Sequence, residues 1–542
     1  MTESLPGRVA SLARQRPLDP AVISLDSAGV RVWDWSRLWR ESLRIAGLLA
    51  AAGVRRGEPV AYQIANRAEF VAVTLGTLLA GAVCCPLMPI FRERELRYML
   101  DRARVRVLFV MDRHRGRRPV EEVSAVEPDV PSLESVLVIT ADGSDGGGAP
   151  ARNGRARYRW LQAALENIEA PSDAPVQAEP AALAQLLFTS GTTGEAKGVL
   201  HRADVLSLAA RLQADHLGLG PADRVFVPSP LAHQTGFLYG MWVALALGVP
   251  QILQESWEPR LALAALEQWR GTFVQAATPF LADLVRAVEE SETASGAPGS
   301  LRLFVATGTT VPRALAARAR RVLQSQVCGA FGTTEGCLAT LGSPVDPPEK
   351  ACGTDGRPLT GIEVRTCDEA GRALPPGSEG QLQTRSPTMF QGYLDRPDWT
   401  AAAYTDDGWY RTGDLAVIDP EGYLRLTGRV KDVVNRGGEK IPVVEIEQLL
   451  HEHDAVREVA IVGMPDVRLG ERACAFIVTS GAGLDLTAVQ AFLDGRRVAK
   501  QYWPERVEIL EELPKTPSGK IRKYVLRERA RCLITGVGDG GC

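Results

Sequence analysis

The sequence lacks several features that mark whole classes of protein. No apolar run in its 542 residues approaches the ~20 needed to span a bilayer. "VALALGV" and "LALAALEQW" are short and interrupted, which suits core elements instead. The opening "MTESLPGRVASLARQRP" has no apolar core of the kind a secretion signal carries. Excess charge is also missing: 62 basic against 65 acidic residues leave a net −3. Neither nucleic acid nor a membrane surface is therefore expected as a partner. The nine cysteines are odd in number and include no CxxC pair, which argues against a disulfide framework and for a reducing cytoplasm. HExxH is absent. His451 and His453 stand two apart and do not share a helix face, so no metal site is expected there. Gly536, Gly538 and Gly541 match the G-x-G-x-x-G spacing, but no strand-to-helix context surrounds them.

What is present is alternation. Strand-like runs such as "VAYQI", "VRVLFVM", "SVLVIT", "AQLLFTS" and "LRLFVATG" are separated by helical runs such as "VLSLAARLQADHLG" and "PRALAARARRVLQ". This predicts layered α/β subdomains with mostly parallel strands. The chain is too long for one ordinary domain. Residues 141–157 have almost no apolar content and read as a surface loop. From about residue 351 short strands and turn signals predict a small β subdomain. Residues 429–530 read as a compact α+β unit, with a boundary near Gly428–Lys431.

One stretch stands out, "TSGTTGEAKG", directly after an apolar strand. Gly191, Gly194 and Gly198 let backbone N–H groups turn toward one point, as an anion nest requires. Thr189, Ser190, Thr192 and Thr193 add neutral donors, and Lys197 adds charge. The helix expected at "ADVLSLAARL" would add its N-terminal dipole. The run is not a Walker motif, because Ala196 stands where glycine would precede the lysine. A flexible surface loop is the competing reading.

Four further stretches accompany it in order: "FGTTEG", "WYRTGDLA", "GRVKDVVNRGGEKI" and "PKTPSGKIRK". Together the five resemble the core motifs of the adenylate-forming superfamily, over roughly residues 20–530, and the bacterial acyl-CoA synthetases within it. The resemblance implies a large N-terminal domain over 1–428 of layered α/β subdomains with a small β-barrel-like subdomain. A small mobile α+β domain over 429–542 would follow. The implied reaction activates a carboxylic acid with ATP as an acyl-adenylate and passes the acyl group to CoA. Magnesium is the implied metal. A carrier-protein phosphopantetheine is an alternative acceptor, efficient performance of only one half-reaction is another reading, and homodimerisation is left open. A noncatalytic ligand-binding relative would be expected to lack Lys520, Glu335 or Asp414, and all three are present.

By that resemblance Lys520 bridges the carboxylate and the α-phosphate. An ammonium on a flexible stem suits a point-charge role. Glu335 resembles the magnesium contact, since a hard cation wants carboxylate oxygen, and Thr334 the phosphate donor. Gly308, Thr309, Gly329, Ala330, Phe331, Gly332 and Thr333 frame the nucleotide, with Phe331 beside adenine where relatives often have tyrosine. Asp414 resembles the ribose-binding carboxylate, able to accept two hydrogen bonds, and Arg429 the arginine reaching ribose or phosphate. Lys431 occupies the hinge position. Arg436, Gly437 and Gly438 resemble the pantetheine-tunnel loop.

"PSPLAHQTGFLYG" holds the variable acyl region. It has no aspartate to meet an amino-acid ammonium, and Gln234 replaces the asparagine of catechol-type acid domains. His233, Gln234, Thr235 and Phe237 are the pocket candidates, with Thr307 and Gly308 facing them. A packed core histidine is the competing reading of His233. Ala196 stands in place of the usual proline in the phosphate loop, and "ATGTT" at 306–310 departs from the usual segment.

Overall fold

The computed structural model describes residues 3–26, 29–141, 155–166, 168, 181–189, 196–291, 297–308, 312–437, 439–481, 484–516 and 520–535. Most of the expected surface loop, residues 142–154, falls outside them, as do the glycines near the C-terminus.

Two large sheets form the body. One runs in the order Gly392–Tyr393, Lys197–Arg202, Leu183–Thr189, Val83–Pro86, Pro59–Gln63, Val107–Met111, Ser135–Ile139, Arg157–Trp160. The other runs Arg357–Pro358, Cys337–Leu341, Gln326–Thr333, Leu303–Thr307, Phe273–Ala277, Val225–Val227, Gln251–Gln254, Pro20–Asp26, Gly29–Asp34. Their central pairings are parallel. Such strands are covered on both faces and so read as unbroken apolar runs; every residue of Val107–Met111 is buried. The helix Ala68–Leu79 has all 12 residues buried. An element apolar all round belongs between layers, not at a surface.

Antiparallel pairs stand at the sheet edges, and they carry the site. Leu183–Thr189 returns as Lys197–Arg202, with Thr189 opposite Lys197. This corrects one expectation. The helix after the phosphate loop is Ala203–Leu217, so six residues of strand separate its N-terminus from the loop. At ~3.3 Å per residue that is roughly 20 Å of strand between Lys197 and the helix N-terminus, so the helix dipole is not at Lys197. The chain prefers a strand here because Val199 and His201 are fully buried against neighbouring strands.

Residues 363–429 supply a four-stranded antiparallel sheet, ordered Glu363–Cys367, Glu379–Arg385, Tyr410–Ile418, Leu424–Arg429. A 3-10 turn, Val430–Asp432, leads onward. Beyond it lies a separate sheet centred on the antiparallel pair Val456–Asp466 and Gly470–Thr479. Its two faces alternate with period two. Val459, Ile461, Ala475 and Ile477 enter one core, and Ala460, Val462, Cys474 and Phe476 another. The helices Val443–Leu450 and Leu486–Gly495 share the first core, and Lys523–Thr535 covers the second.

Among the described residues seven cysteines are free, six of them buried. Among the described residues no helix is long and apolar enough to cross a membrane, and no group of three or more His, Cys, Asp or Glu could hold a metal.

Candidate active site

A cavity of about 1770 Å³ opens where the large sheets, the four-stranded sheet and the C-terminal unit meet. Strand ends build its walls. The strand Gln326–Thr333 contributes Ala330, Phe331, Gly332 and Thr333, and the following turn adds Thr334 and Glu335. The strand bulges between Phe331 and Gly332, which re-aims the chain at the cavity. A Cβ on Gly332 would meet the Cys337 carbonyl oxygen at 2.4 Å, so only glycine fits the return. Phe331 is 5% exposed, its ring set into the wall.

Asp414 lies opposite Arg429 in the register of two antiparallel strands. Its carboxylate, buried at 6% exposure, accepts a hydrogen bond from Arg429 Nε at 3.1 Å. Burial pushes the carboxyl upward, and the charges of Arg429 and Lys520 oppose that rise.

Lys520 reaches this cavity from the C-terminal unit. A pinched turn presents it: Lys520 N donates to Thr516 Oγ1 at 3.0 Å, and Thr516 N donates to Lys520 O at 2.6 Å. A Cβ built on Gly308 would stand 3.4 Å from Lys520 Cε. Gly308 has φ +89°, which disfavours side chains, and its missing side chain leaves room for the lysine stem. Burial pushes the Lys520 ammonium down to about 8; Arg429 adds to the fall, while Asp414 and Glu335 resist it.

His233 lines the same wall. Burial, aided by the Lys520 charge, pushes it down to about 3, so the ring is neutral at pH 7. Its Nδ1 accepts from Thr235 N at 3.3 Å. The ring proton is thereby assigned to Nε2, leaving one donor.

Not every expected residue reaches the cavity. Gln234 and Phe237 are buried at 4% and 0% exposure, and neither they nor Thr235 nor Thr307 line it. Phe237 opens a π-helical turn, Phe237–Trp242, whose side chains are packed inward. Thr307 instead donates to the Ala330 carbonyl at 3.3 Å. Gly329 lies behind the wall, where a Cβ would meet the Thr354 carbonyl oxygen at 2.4 Å. Lys431 lines the cavity; Arg436 and Gly437 do not. Arg436 is held by Glu505 through two contacts of 3.0 and 3.1 Å. Ser190, Gly191, Thr192, Thr193, Gly194, Thr309 and Gly438 lie outside the described residues.

Tyr393, Trp399 and His201 had no role in the sequence reading. Tyr393 Oη donates to Glu335 Oε1 at 2.8 Å. Lys197 Nζ stands 4.7 Å from the Tyr393 ring centre and 5.4 Å from that of Trp399. His201, fully buried, donates through Nε2 to the Thr334 carbonyl at 2.6 Å; burial pushes it down to about 4, so it stays neutral. His201 stands three residues past the quoted run "TSGTTGEAKG", but its target is 133 residues away, and only strand register brings them together.

A nucleotide-sized cavity between α/β sheets, with a buried carboxylate and a lysine supplied by a separate C-terminal unit, defines a two-part nucleotide-using enzyme. The chain belongs to the AMP-binding enzyme family, matching it over residues 9–394 and matching the AMP-binding enzyme C-terminal domain over 445–520. It is 34% identical to the medium-chain fatty-acid–CoA ligase of Escherichia coli K12, over 95% of this chain and 88% of that one. It is 33% identical to the 2-hydroxy-7-methoxy-5-methyl-1-naphthoate–CoA ligase of Streptomyces carzinostaticus, over 97% and 93%. Among solved structures it resembles ATP-bound MatB from Rhodopseudomonas palustris, with a TM-score of 0.83 and 27% identity over 97% of this chain and 99% of that one.

Proposed function

We propose that this protein is an ATP-dependent acid–thiol ligase that forms an acyl-adenylate from a carboxylic acid and passes the acyl group to CoA. The observation that carries the reading is Lys520, lodged against Gly308 in a cavity shared with Asp414, Arg429 and Glu335. The first half-reaction brings an anionic carboxylate to a polyanion, so charge placed in advance is the main demand. Lys520 supplies it from a unit that is free to leave afterwards. Asp414 accepts the ribose hydroxyls, with Arg429 fixing its orientation. His233, neutral with Nε2–H to donate, meets the incoming carboxylate. Lys197 and the phosphate loop hold the leaving phosphates.

The residues present fit magnesium. Glu335 offers one carboxylate at the cavity, and no larger acidic cluster exists among the described residues. A cation that keeps its waters and phosphate oxygens needs no more. Bound there, it would neutralise phosphate charge.

Domain alternation is part of the same proposal. Residues 1–428 and 429–542 act as two bodies, Lys431 lies at the hinge, and the Arg436–Gly438 loop approaches the cavity only when Lys520 has withdrawn. A panel of carboxylic acids, with AMP and pyrophosphate release followed with and without CoA, tests the reading. The expected result is CoA-dependent AMP release with the matched acid. A carrier protein outcompeting CoA would reassign the acceptor, and no release with any acid would sink the proposal.

A further inference from the structure

Glu335 is gripped at both ends. Its side chain receives the Tyr393 hydroxyl at 2.8 Å. Its main chain is held on two sides: the Phe390 N–H donates to the Glu335 carbonyl at 2.7 Å, and His201 Nε2 donates to the preceding carbonyl, Thr334 O, at 2.6 Å. Two of these grips, those of His201 and Tyr393, meet on one strand. His201 lies in Lys197–Arg202, and Tyr393 pairs with that strand opposite Val199. The same strand begins at Lys197, whose ammonium rests over the Tyr393 and Trp399 rings. Strand, rings and carboxylate thus form one connected unit.

Each grip has a cost that calls for an explanation. A histidine that stays neutral in a fully buried site, with its Nδ1 lacking a hydrogen-bond partner, forgoes solvation. A tyrosine hydroxyl spent on a half-buried carboxylate orients that carboxylate and leaves Oε2 for another partner. Ligating carboxylates are commonly oriented by such outer hydrogen bonds.

We propose that Tyr393 and His201 are positioning residues that set Glu335 for the magnesium ion of MgATP, and that they tie this carboxylate to Lys197 through the strand Lys197–Arg202. The inference rests on the adenylation reading above. Tyr393 fixes the rotamer of the carboxylate, and His201 fixes the height of its backbone. Lys197 shares the Tyr393 ring, so the charge that meets the leaving phosphates and the carboxylate that meets the metal keep one spacing.

The test measures ATP binding to the full-length protein by calorimetry, at a series of magnesium chloride concentrations and without any acid. Tyr393→Phe keeps both rings beside Lys197 and removes only the hydroxyl. It is expected to raise the half-maximal magnesium concentration about 10–100-fold, with the melting temperature close to wild type. His201→Leu is expected to do the same with some loss of stability, and His201→Gln, whose amide nitrogen can reach the Nε2 position, to restore most of the magnesium response. An unchanged magnesium midpoint in Tyr393→Phe overturns the proposal while leaving the ligase reading intact. A midpoint that moves only in step with melting temperature across the variants overturns it as well. Failure of the wild-type protein to bind ATP at any magnesium concentration overturns both.

Discussion

Arg429 Nε and Asp414 Oδ1 stand 3.1 Å apart across two antiparallel strands, and Lys520 arrives beside them from the C-terminal unit. Two cations therefore share one buried carboxylate. The arrangement is asymmetric. Arg429 belongs to the four-stranded sheet, whereas Lys520 comes from the C-terminal unit, and its ammonium is weakened to about 8 by burial and by Arg429.

That balance predicts a pH limb. Lys520 is needed charged, so ATP–pyrophosphate exchange should fall about tenfold per pH unit above pH ~8. Arg429→Gln removes a repelling cation, which raises the lysine pKa and moves the limb to higher pH. Asp414→Asn removes an attracting anion and moves it lower, besides weakening ATP binding. Exchange rates across pH 6.5–10 measured for the three proteins decide the matter. A limb that does not move in Arg429→Gln would remove Lys520 as its source.

Lys520→Ala should separate the half-reactions. Loss of one preorganised charge costs about 10²–10³ in rate, so pyrophosphate exchange should drop by at least that. Thioester formation from a synthetic acyl-adenylate should fall far less. Equal loss in both halves would contradict the departure of Lys520 before thiol attack.

Gly308→Ala probes the lysine's berth. A methyl group there would stand 3.4 Å from Lys520 Cε, on a backbone at φ +89°. The left-handed conformation costs a non-glycine residue about 1–2 kcal/mol, seen as a lower melting temperature. Exchange should slow beyond what that strain explains, because the lysine stem must shift. A destabilised protein with unimpaired exchange would show that the lysine has room to spare.

Much of this site was legible because its residues act through local motifs. "GTTEG", "RTGD" and "PSGK" each carry their chemical group within a few adjacent residues, and the structure brings Glu335, Asp414 and Lys520 to one cavity. The layered α/β body was legible for a different reason: strands buried on both faces betray themselves as apolar runs. What escaped depends on register between distant strands. Nothing local distinguishes Tyr393 from any aromatic after glycine, yet pairing with Val199 sets it beside Glu335. The helix begins at Ala203 as expected, but nothing local marks Lys197–Arg202 as a strand that pairs back on Leu183–Thr189 and stands between Lys197 and the helix. Phe237 reads as a pocket residue on its position in the motif, but the π-helical turn packs it inward.

The loop after the hinge supplies the complementary separation. Gly437 holds φ +62°, and its N–H donates to the Leu469 carbonyl at 2.7 Å, while Arg436 is bound to Glu505. These contacts lie within the C-terminal unit, so Arg436 and Gly437 are fixed to that unit and not to the cavity wall. On the proposed function the thiol passes this loop, and a side chain at position 438 would obstruct it. Gly438→Leu should therefore leave pyrophosphate exchange near wild type and suppress thioester formation from supplied acyl-adenylate by at least tenfold, about 1.4 kcal/mol of lost transition-state stabilisation. Competition between CoA and a phosphopantetheine-loaded carrier protein, run on the same variant, identifies the acceptor that the loop admits. Normal thioester formation in Gly438→Leu would place the thiol path elsewhere and detach the Arg436–Gly438 loop from the second half-reaction.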